Sequence, residues 1–207
     1  MQSMEAPAVE LEYGAKIVLA GPKRAGKSAI ANVLAENDMD VELAMPYHAT
    51  VGVRILEFAR LLDERSSMEV QLWDTSGDID AYVSAMPVYM RDAVGVILVL
   101  DPAMKKTDMD AWFTTFVEDY MLEDRQVLVL LHMGPPGTTL PSGATPRSLL
   151  PRRMAGLNAI ISTLESDEAR DDVQDAFEDL LRNVADVLDD MQAEEESRII
   201  QSQQGGA

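Results

Sequence analysis

The chain has 207 residues, of which 47% are hydrophobic and 26% charged, and it contains no cysteine. These values predict one soluble domain with a substantial core, and they exclude disulfides, cysteine zinc sites and cysteine lipidation. The formal net charge of -19 argues against nucleic acid or anionic lipid as a partner, because phosphate-rich partners need clustered lysine and arginine. We also expect no signal peptide, no membrane span and no direct membrane anchor.

A phosphate-binding loop follows the first predicted strand. The apolar run 15–20 precedes a G-x-x-x-x-G-K-S sequence, and helix-forming residues follow it. In this setting backbone N–H groups at a helix N-terminus cradle phosphates, while the lysine reaches the β- and γ-phosphates and the serine hydroxyl binds Mg²⁺. The residues predicted to bind nucleotide here are Gly21, Lys23, Arg24, Ala25, Gly26, Lys27, Ser28 and Ala29.

A predicted hairpin comes next, after an acidic and aperiodic stretch from Glu36 to Tyr47. Apolar residues alternate over 51–55 and again over 68–72, with a polar turn near Asp63 between the two runs. Alternation with a period of two is typical of strands. Because a hairpin joins these strands, we expect one antiparallel edge strand in the sheet.

Two residues near this hairpin complete a predicted Mg²⁺ site. Asp74 ends the second hairpin strand within the sequence W-D-T-S-G, and Thr50 lies where the acidic stretch meets the first. A carboxylate and two hydroxyls suit Mg²⁺, so we predict Ser28, Thr50 and Asp74 as its ligands. The backbone N–H groups of Thr50 and Gly77 are expected to face the γ-phosphate.

The remainder of the chain alternates strands with helices. This pattern predicts a mainly parallel sheet covered on both faces, with ligands at the carboxyl ends of its strands. A loop rich in glycine and proline, residues 134–156, is expected before the last strand. The predicted elements are a buried strand over 94–100, a helix over 108–121, a strand over 127–131, a short strand over 157–161 and a long amphipathic helix over 167–191.

The predicted fold class is therefore α/β, with a six-stranded, mostly parallel sheet that has one antiparallel edge strand and helices on both faces. A long loop replaces the helix expected between the fifth and sixth strands. The predicted domain covers residues 14–192, with flexible tails over 1–13 and 193–207.

Taken together, these motifs resemble a Ras-superfamily small GTPase of the Rab type, which has a P-loop, Rossmann-like fold. More narrowly, the segment T-V-G-V-R-I-L-E-F from Thr50, W-D-T-S-G-D from Trp73 and S-R-I-I from Ser197 resemble the Rab-like small GTPase family of the intraflagellar transport machinery. The resemblance covers residues 15–200 and is weakest over 134–156. It implies GTP or GDP with Mg²⁺ as cofactors, coiled-coil subunits of transport complex B as partners, a monomer when alone, and a place in the cilium or flagellum, its base and the cytoplasm.

The sequence departs from the family pattern at the residues that hydrolyse GTP and read the base. Asp78 stands where a glutamine orients the attacking water, and Lys23 stands where many small GTPases have glycine, so we predict slow or negligible hydrolysis. The sequence from Met133 to Pro136 replaces the guanine-reading N-K-x-D motif, which puts base discrimination in doubt. Ser162 and Thr163 replace the second base loop, where their backbone N–H groups are expected to meet the base.

The leading interpretation is a nucleotide-dependent binding module with weak hydrolysis. An active membrane-traffic switch GTPase is the first alternative, although the missing cysteine removes its usual prenyl anchor. A P-loop enzyme that uses ATP is the second, because the guanine motif is absent. The last alternative is a structural subunit that no longer binds nucleotide.

Overall fold

The structure, a computed structural model, describes residues 11–36, 48–134 and 139–204. Its six strands form one sheet and are β1 (Leu11–Ala20), β2 (Val53–Leu61), β3 (Ser66–Thr75), β4 (Gly95–Leu100), β5 (Val127–His132) and β6 (Asn158–Ser162). The strand order is β2-β3-β1-β4-β5-β6, and only β2 runs antiparallel to its neighbour among these six. The predicted fold class is confirmed.

The helices lie on both faces of the sheet. They are α1 (Lys27–Glu36), α2 (Ile79–Tyr82), α3 (Met86–Met90), α4 (Lys106–Phe116), α5 (Pro146–Leu149) and α6 (Asp167–Gln204). Short 3₁₀ turns occupy Val83–Ala85, Glu118–Tyr120, Asp124–Gln126 and Arg152–Met154.

Two hydrophobic layers hold these elements together. On one face, Ile30 of α1 and Phe177 of α6 are fully buried against the sheet. On the other face, Phe113 and Phe116 of α4 pack with Met154. Strands β4 and β5 lie between the layers, and every residue of both strands is buried, as the continuous apolar runs predict.

The hairpin between β2 and β3 is fixed by a local turn. The Asp63 carboxylate accepts hydrogen bonds from the backbone N–H groups of Arg65 and Ser66, at 2.7 and 2.9 Å. An aspartate in this position competes well for backbone donors and favours a turn over a continued strand. The turn sets the antiparallel register that places Arg54 opposite Asp74.

Several predicted boundaries are wrong. Strand β1 starts at Leu11, inside the predicted N-terminal tail, because it pairs with β3 from Ser66 onward. The predicted helix over 108–121 ends at Phe116 and gives way to a 3₁₀ turn, after which Met121 adopts a left-handed conformation. The predicted tails at 1–10 and 205–207, and the acidic stretch at 37–47, lie outside the described residues.

The last helix is longer than its amphipathic pattern indicates. The pattern stops at Met191, whereas α6 continues through Gln204, where we predicted a flexible tail from residue 193. Its final turns are exposed, and alanine, glutamate and glutamine favour a helix even without a core to pack on. Among the described helices, none is long and apolar enough to cross a membrane.

The segment between β5 and β6 contains the short helix α5 and the 3₁₀ turn Arg152–Met154, and residues 135–138 within it lie outside the described part. Arg153 ties the segment to α4, since its guanidinium pairs with Asp110 at 2.9 Å and Glu118 at 3.1 Å and also contacts the Phe113 ring. Arg153 thus stabilises the packing of this segment on α4.

Candidate functional site

The predicted site residues meet at the carboxyl ends of the central strands. Residues 21–28, called the phosphate loop below, connect β1 to α1. Leu19 of β1 is the register partner of Asp74 of β3, so the loop begins two residues beyond the level of this carboxylate. The Thr75 hydroxyl donates to the Leu19 carbonyl at 2.9 Å and joins the two strand ends.

The phosphate loop needs glycine at both of its ends. Gly21 has φ of +150°, and a Cβ there would lie 2.0 Å from the Val99 carbonyl oxygen. Gly26 has φ of +86°, and a Cβ there would lie 2.5 Å from the His132 ring. Because L side chains are strained at these angles, only glycine lets the loop lie this close to β4 and β5.

The Lys27 side chain folds back under the first residues of the phosphate loop. Its Nζ donates to the Gly21 and Pro22 carbonyls at 2.8 and 2.9 Å, and the side chain is buried. Burial lowers the pKa of this ammonium to about 8, although the Asp74 carboxylate acts in the opposite direction. A buried cation at the N-terminus of α1 suits an anionic ligand.

Three oxygen-bearing side chains come together beside Lys27. The Ser28 and Thr50 hydroxyls lie 2.9 Å apart, and the Asp74 side chain is fully buried. Neither Asp74 carboxylate oxygen has a hydrogen-bond partner among the described residues. Burial raises the pKa of this carboxyl, and the nearby Ser28 hydroxyl and the Arg54 charge offset only part of that rise. A buried carboxylate without hydrogen bonds is costly, and a hard divalent cation would satisfy it together with the two hydroxyls.

Gly77 packs directly on the phosphate loop. A Cβ at this position would lie 2.3 Å from the backbone nitrogen of Lys23 and 2.5 Å from the Pro22 carbonyl carbon. The adjacent Ser76 N–H donates to the Gly52 carbonyl at 2.8 Å, which links this segment to the residues after Thr50. Both predicted γ-phosphate contacts, Thr50 and Gly77, therefore lie beside the loop and are coupled through one backbone hydrogen bond.

Lys23 and Asp78 form an ion pair over this site. Lys23 Nζ donates to Asp78 Oδ2 at 2.6 Å, and the two side chains are 56% and 38% exposed. Lys23 also lowers the pKa of the Asp78 carboxyl, which is therefore negatively charged near neutral pH. The sequence analysis treated Asp78 and Lys23 as two separate reasons for slow hydrolysis. In the structure they form one ion pair, in which the lysine neutralises the negative charge of the Asp78 carboxylate.

Comparisons with known proteins agree with this arrangement. The family model of the Roc domain, described as Ras of Complex, Roc, domain of DAPkinase, matches residues 16–133, more than half of the chain. Intraflagellar transport protein 22 homologs match nearly end to end. The one from Danio rerio is 34% identical over 195 residues, which cover 91% of this chain and 99% of the relative. The Homo sapiens homolog is 32% identical and covers 90% and 98%.

The chain belongs to the intraflagellar transport protein 22 family.

A solved member of the family has the same fold. The GTP-bound crystal structure of IFT22/74/81 from T. brucei aligns with a TM-score of 0.66 at 26% identity, over 87% of this chain and 98% of that one. The family resemblance inferred from the sequence motifs is thereby confirmed, as is the Ras-like domain.

In this member of the intraflagellar transport protein 22 family, a histidine ends β5, directly before the segment that replaces the guanine-reading motif. His132 is the last residue of β5, its Nδ1 lies 3.2 Å from the Ser162 hydroxyl, and its ring touches Gly26. The Ser162 side chain is buried in this contact, so only its backbone remains for the predicted base contact, while Thr163 is half-buried. Met133 and Gly134 are half-buried, and Pro135 and Pro136 lie outside the described residues.

Sequence reasoning missed His132 and Arg54. His132 is a polar residue that ends an otherwise apolar strand, and Arg54 is a charged residue on the inward-facing side of an alternating strand. Either exception to the pattern could have marked a functional position. Their contacts join residues 20 or more positions apart, and no local motif encodes such contacts.

We expect His132→Ala to destabilise the protein by about 1–2 kcal/mol and to weaken nucleotide binding, because it removes the support under Gly26 and one hydrogen bond. Thermal unfolding with and without GTP measures both effects. His132→Asn should lose less stability and less nucleotide affinity, since its amide can still form a hydrogen bond with the Ser162 hydroxyl. His48→Ala is the matched control, because His48 is exposed. Equal melting temperatures for all three variants and the wild type would contradict this role.

Proposed function

We propose that this chain is a Rab-like, guanine nucleotide-binding subunit of intraflagellar transport complex B in the cilium or flagellum, its base and the cytoplasm. It binds GTP with Mg²⁺, hydrolyses it slowly, and docks coiled-coil partner subunits in its GTP-bound form. The family relation and the GTP-bound T. brucei relative support this proposal.

The observation that carries the proposal is the buried Asp74 carboxylate, which accepts no hydrogen bond from the described residues and lies beside the Ser28 and Thr50 hydroxyls. These three residues would hold Mg²⁺, which supplies positive charge to the β- and γ-phosphates. Lys27 and the loop backbone would bind the phosphates themselves. The positions of Thr50 and Gly77 would depend on whether GTP or GDP is bound, because Thr50 precedes β2 and Gly77 packs on the phosphate loop.

The segments next to the predicted γ-phosphate position are close to an exposed apolar surface. The Ser76 to Gly52 hydrogen bond connects the two segments that flank the γ-phosphate position. Exposed apolar side chains surround this connection, with Val51 82% exposed and Val83 62% exposed. An apolar surface next to a ligand site suits partner docking, and ordering of Thr50 and Gly77 by the γ-phosphate would shape it.

The same geometry favours holding GTP over cleaving it. Asp78 is engaged by Lys23 at 2.6 Å, so its carboxylate is occupied and cannot replace a glutamine that both accepts from water and donates to phosphate. Lys23 in turn covers the approach to the loop.

The test begins with the purified chain. Denaturation releases any copurified nucleotide for chromatography, and GTP, GDP and ATP are then titrated separately with Mg²⁺. We expect preference for guanine nucleotides by at least about tenfold over ATP. Binding of the subunit pair corresponding to 74 and 81 is then measured with GTP and with GDP, for the wild type and for Ser28→Asn, which we expect to lose the GTP-dependent part.

A pair of surface variants locates the partner. Val51→Asp should reduce partner binding, whereas Leu61→Asp, at the far end of β2 and 70% exposed, should not. Equal affinity for ATP and GTP would revive the ATP-using alternative. Partner binding that is the same with GTP, with GDP and in Ser28→Asn would refute the nucleotide-dependent module.

A further inference from the structure

Arg54 places a guanidinium beside the buried carboxylate of the site. Arg54 and Asp74 are register partners across the β2 and β3 ladder, so the backbone pairing fixes them opposite each other. Arg54 Nη2 lies 3.4 Å from Asp74 Oδ2 and donates to the Ser28 carbonyl oxygen at 3.2 Å. Burial disfavours the charged form of this carboxylate, and the groups that favour it are the Ser28 hydroxyl, then the charges of Arg54 and Lys27, and the Thr50 hydroxyl. Arg54 is thus the strongest positive charge that acts on Asp74.

The contacts of Arg54 leave the hydroxyls of the site in place. Arg54 reaches Ser28 through the main-chain carbonyl, whereas the Ser28 hydroxyl stays 2.9 Å from that of Thr50. The guanidinium therefore uses the carbonyl oxygen of Ser28, whereas a cation bound at the site would use its hydroxyl. The arginine is compatible with an occupied cation site and does not need to leave it.

The charge of Arg54 matters most when no cation is bound. Asp74 then carries a buried negative charge close to the predicted position of the phosphates, and like charges repel strongly where water is excluded. A guanidinium keeps its positive charge at all relevant pH values. Its contact with Asp74 would reduce this repulsion whether or not a metal is present.

We propose that Arg54 is a built-in counter-charge for Asp74 that lets this chain retain guanine nucleotide after Mg²⁺ is removed. Arg54 acts through Asp74 and is a positioning residue. The inference rests on the proposed function, because it requires a nucleotide at the phosphate loop.

The test compares the full-length wild type with Arg54→Gln and Arg54→Lys. The dissociation constants of GTP and GDP are measured with excess Mg²⁺ and again with EDTA. We expect removal of Mg²⁺ to weaken binding at least about tenfold more in Arg54→Gln than in the wild type, the low end for losing a contact with a charged group. Arg54→Lys should lie between the two, because it keeps the charge and loses the planar geometry.

Arg60→Gln is the matched control. Arg60 lies on the same face of β2 and also donates to a carbonyl of α1, that of Leu34, but it is far from Asp74. It should show the Mg²⁺ dependence of the wild type. A second readout needs no nucleotide: Arg54→Gln should lower the melting temperature of the nucleotide-free protein, and adding Asp74→Asn should restore it.

The pair of Asp74→Asn variants, with and without Arg54→Gln, keeps the test decisive if Arg54→Gln alone does not fold. Without the carboxylate, both should respond equally to EDTA, and a difference between them would overturn the inference. If removal of Mg²⁺ reduced affinity equally in the wild type and in Arg54→Gln, the inference about Arg54 would be overturned and the proposed function would stand. No guanine nucleotide binding by the wild type with Mg²⁺ would overturn the proposed function as well.

Discussion

Replacing Lys27 with alanine should weaken GTP binding by at least about a hundredfold. The ammonium is buried at the N-terminus of α1 and donates to two loop carbonyls, so it lies within reach of phosphates that bind inside the loop. Loss of two charge-assisted hydrogen bonds to phosphate accounts for an effect of this size. Isothermal titration or fluorescent nucleotide displacement measures it, and partner binding that depends on GTP should disappear together with the nucleotide.

Lys106→Ala is the control for this variant. Its Nζ also donates to two carbonyls, those of Ser148 and Leu150 at 3.0 Å, but it ties α4 to the segment around α5 on another part of the surface. Lys106→Ala should lower stability without changing nucleotide affinity by more than about twofold. If the two lysine variants bound GTP equally well, the phosphate loop would not be the nucleotide site.

The pH dependence of binding offers a second check on Lys27. Its pKa is about 8 without nucleotide, and bound phosphate raises the pKa of a neighbouring ammonium, so binding takes up a proton above pH 8. Affinity should therefore fall as the pH rises above about 8, by up to about tenfold for each pH unit until the pKa of the bound state is reached. Lys27→Arg keeps its charge and should show no such fall.

Separating Lys23 from Asp78 should accelerate hydrolysis. We expect the wild type to release phosphate slowly or negligibly in a single-turnover assay with Mg²⁺, and Lys23→Gly with Asp78→Gln to be faster by about tenfold or more, because a glutamine can orient the attacking water. The double change is needed because Lys23→Gly alone leaves the Asp78 carboxylate, which repels the γ-phosphate, and Asp78→Gln alone leaves the lysine side chain beside the glutamine. Each single variant should therefore gain less than the pair.

The control is an ion pair of the same kind elsewhere. Arg125 and Asp190 lie 2.7 Å apart and are 65 positions apart in sequence, so Arg125→Gly with Asp190→Gln removes a comparable contact away from the site. This variant should hydrolyse GTP at the wild-type rate. A wild type that already reached the rate of the Lys23 and Asp78 double variant would show that the ion pair does not limit the reaction.

Much of the fold could be predicted because its signals are local. The continuous apolar runs of β4 and β5, the alternation in β2 and β3 and the Gly-rich loop between a strand and a helix each depend on neighbouring residues. The ends of elements were less predictable. Helix α4 ends at Phe116, and the left-handed backbone of Met121 ends the 3₁₀ turn that follows it. Helix α6 continues past its last apolar contact on helix propensity and on ion pairs within the helix, such as that of Arg198 with Glu194.

The sequence by itself determined the phosphate loop, the roles proposed for Ser28, Thr50 and Asp74, and the family, since these lie in short motifs with fixed spacing. Only the tertiary structure decided which charges face one another. The pairs of Lys23 with Asp78 and Arg54 with Asp74, and the contact of His132 with Gly26, join residues brought together by strand register and loop packing. Coulomb interactions and close packing depend on distances of a few ångströms, and sequence spacing does not specify such distances across a fold.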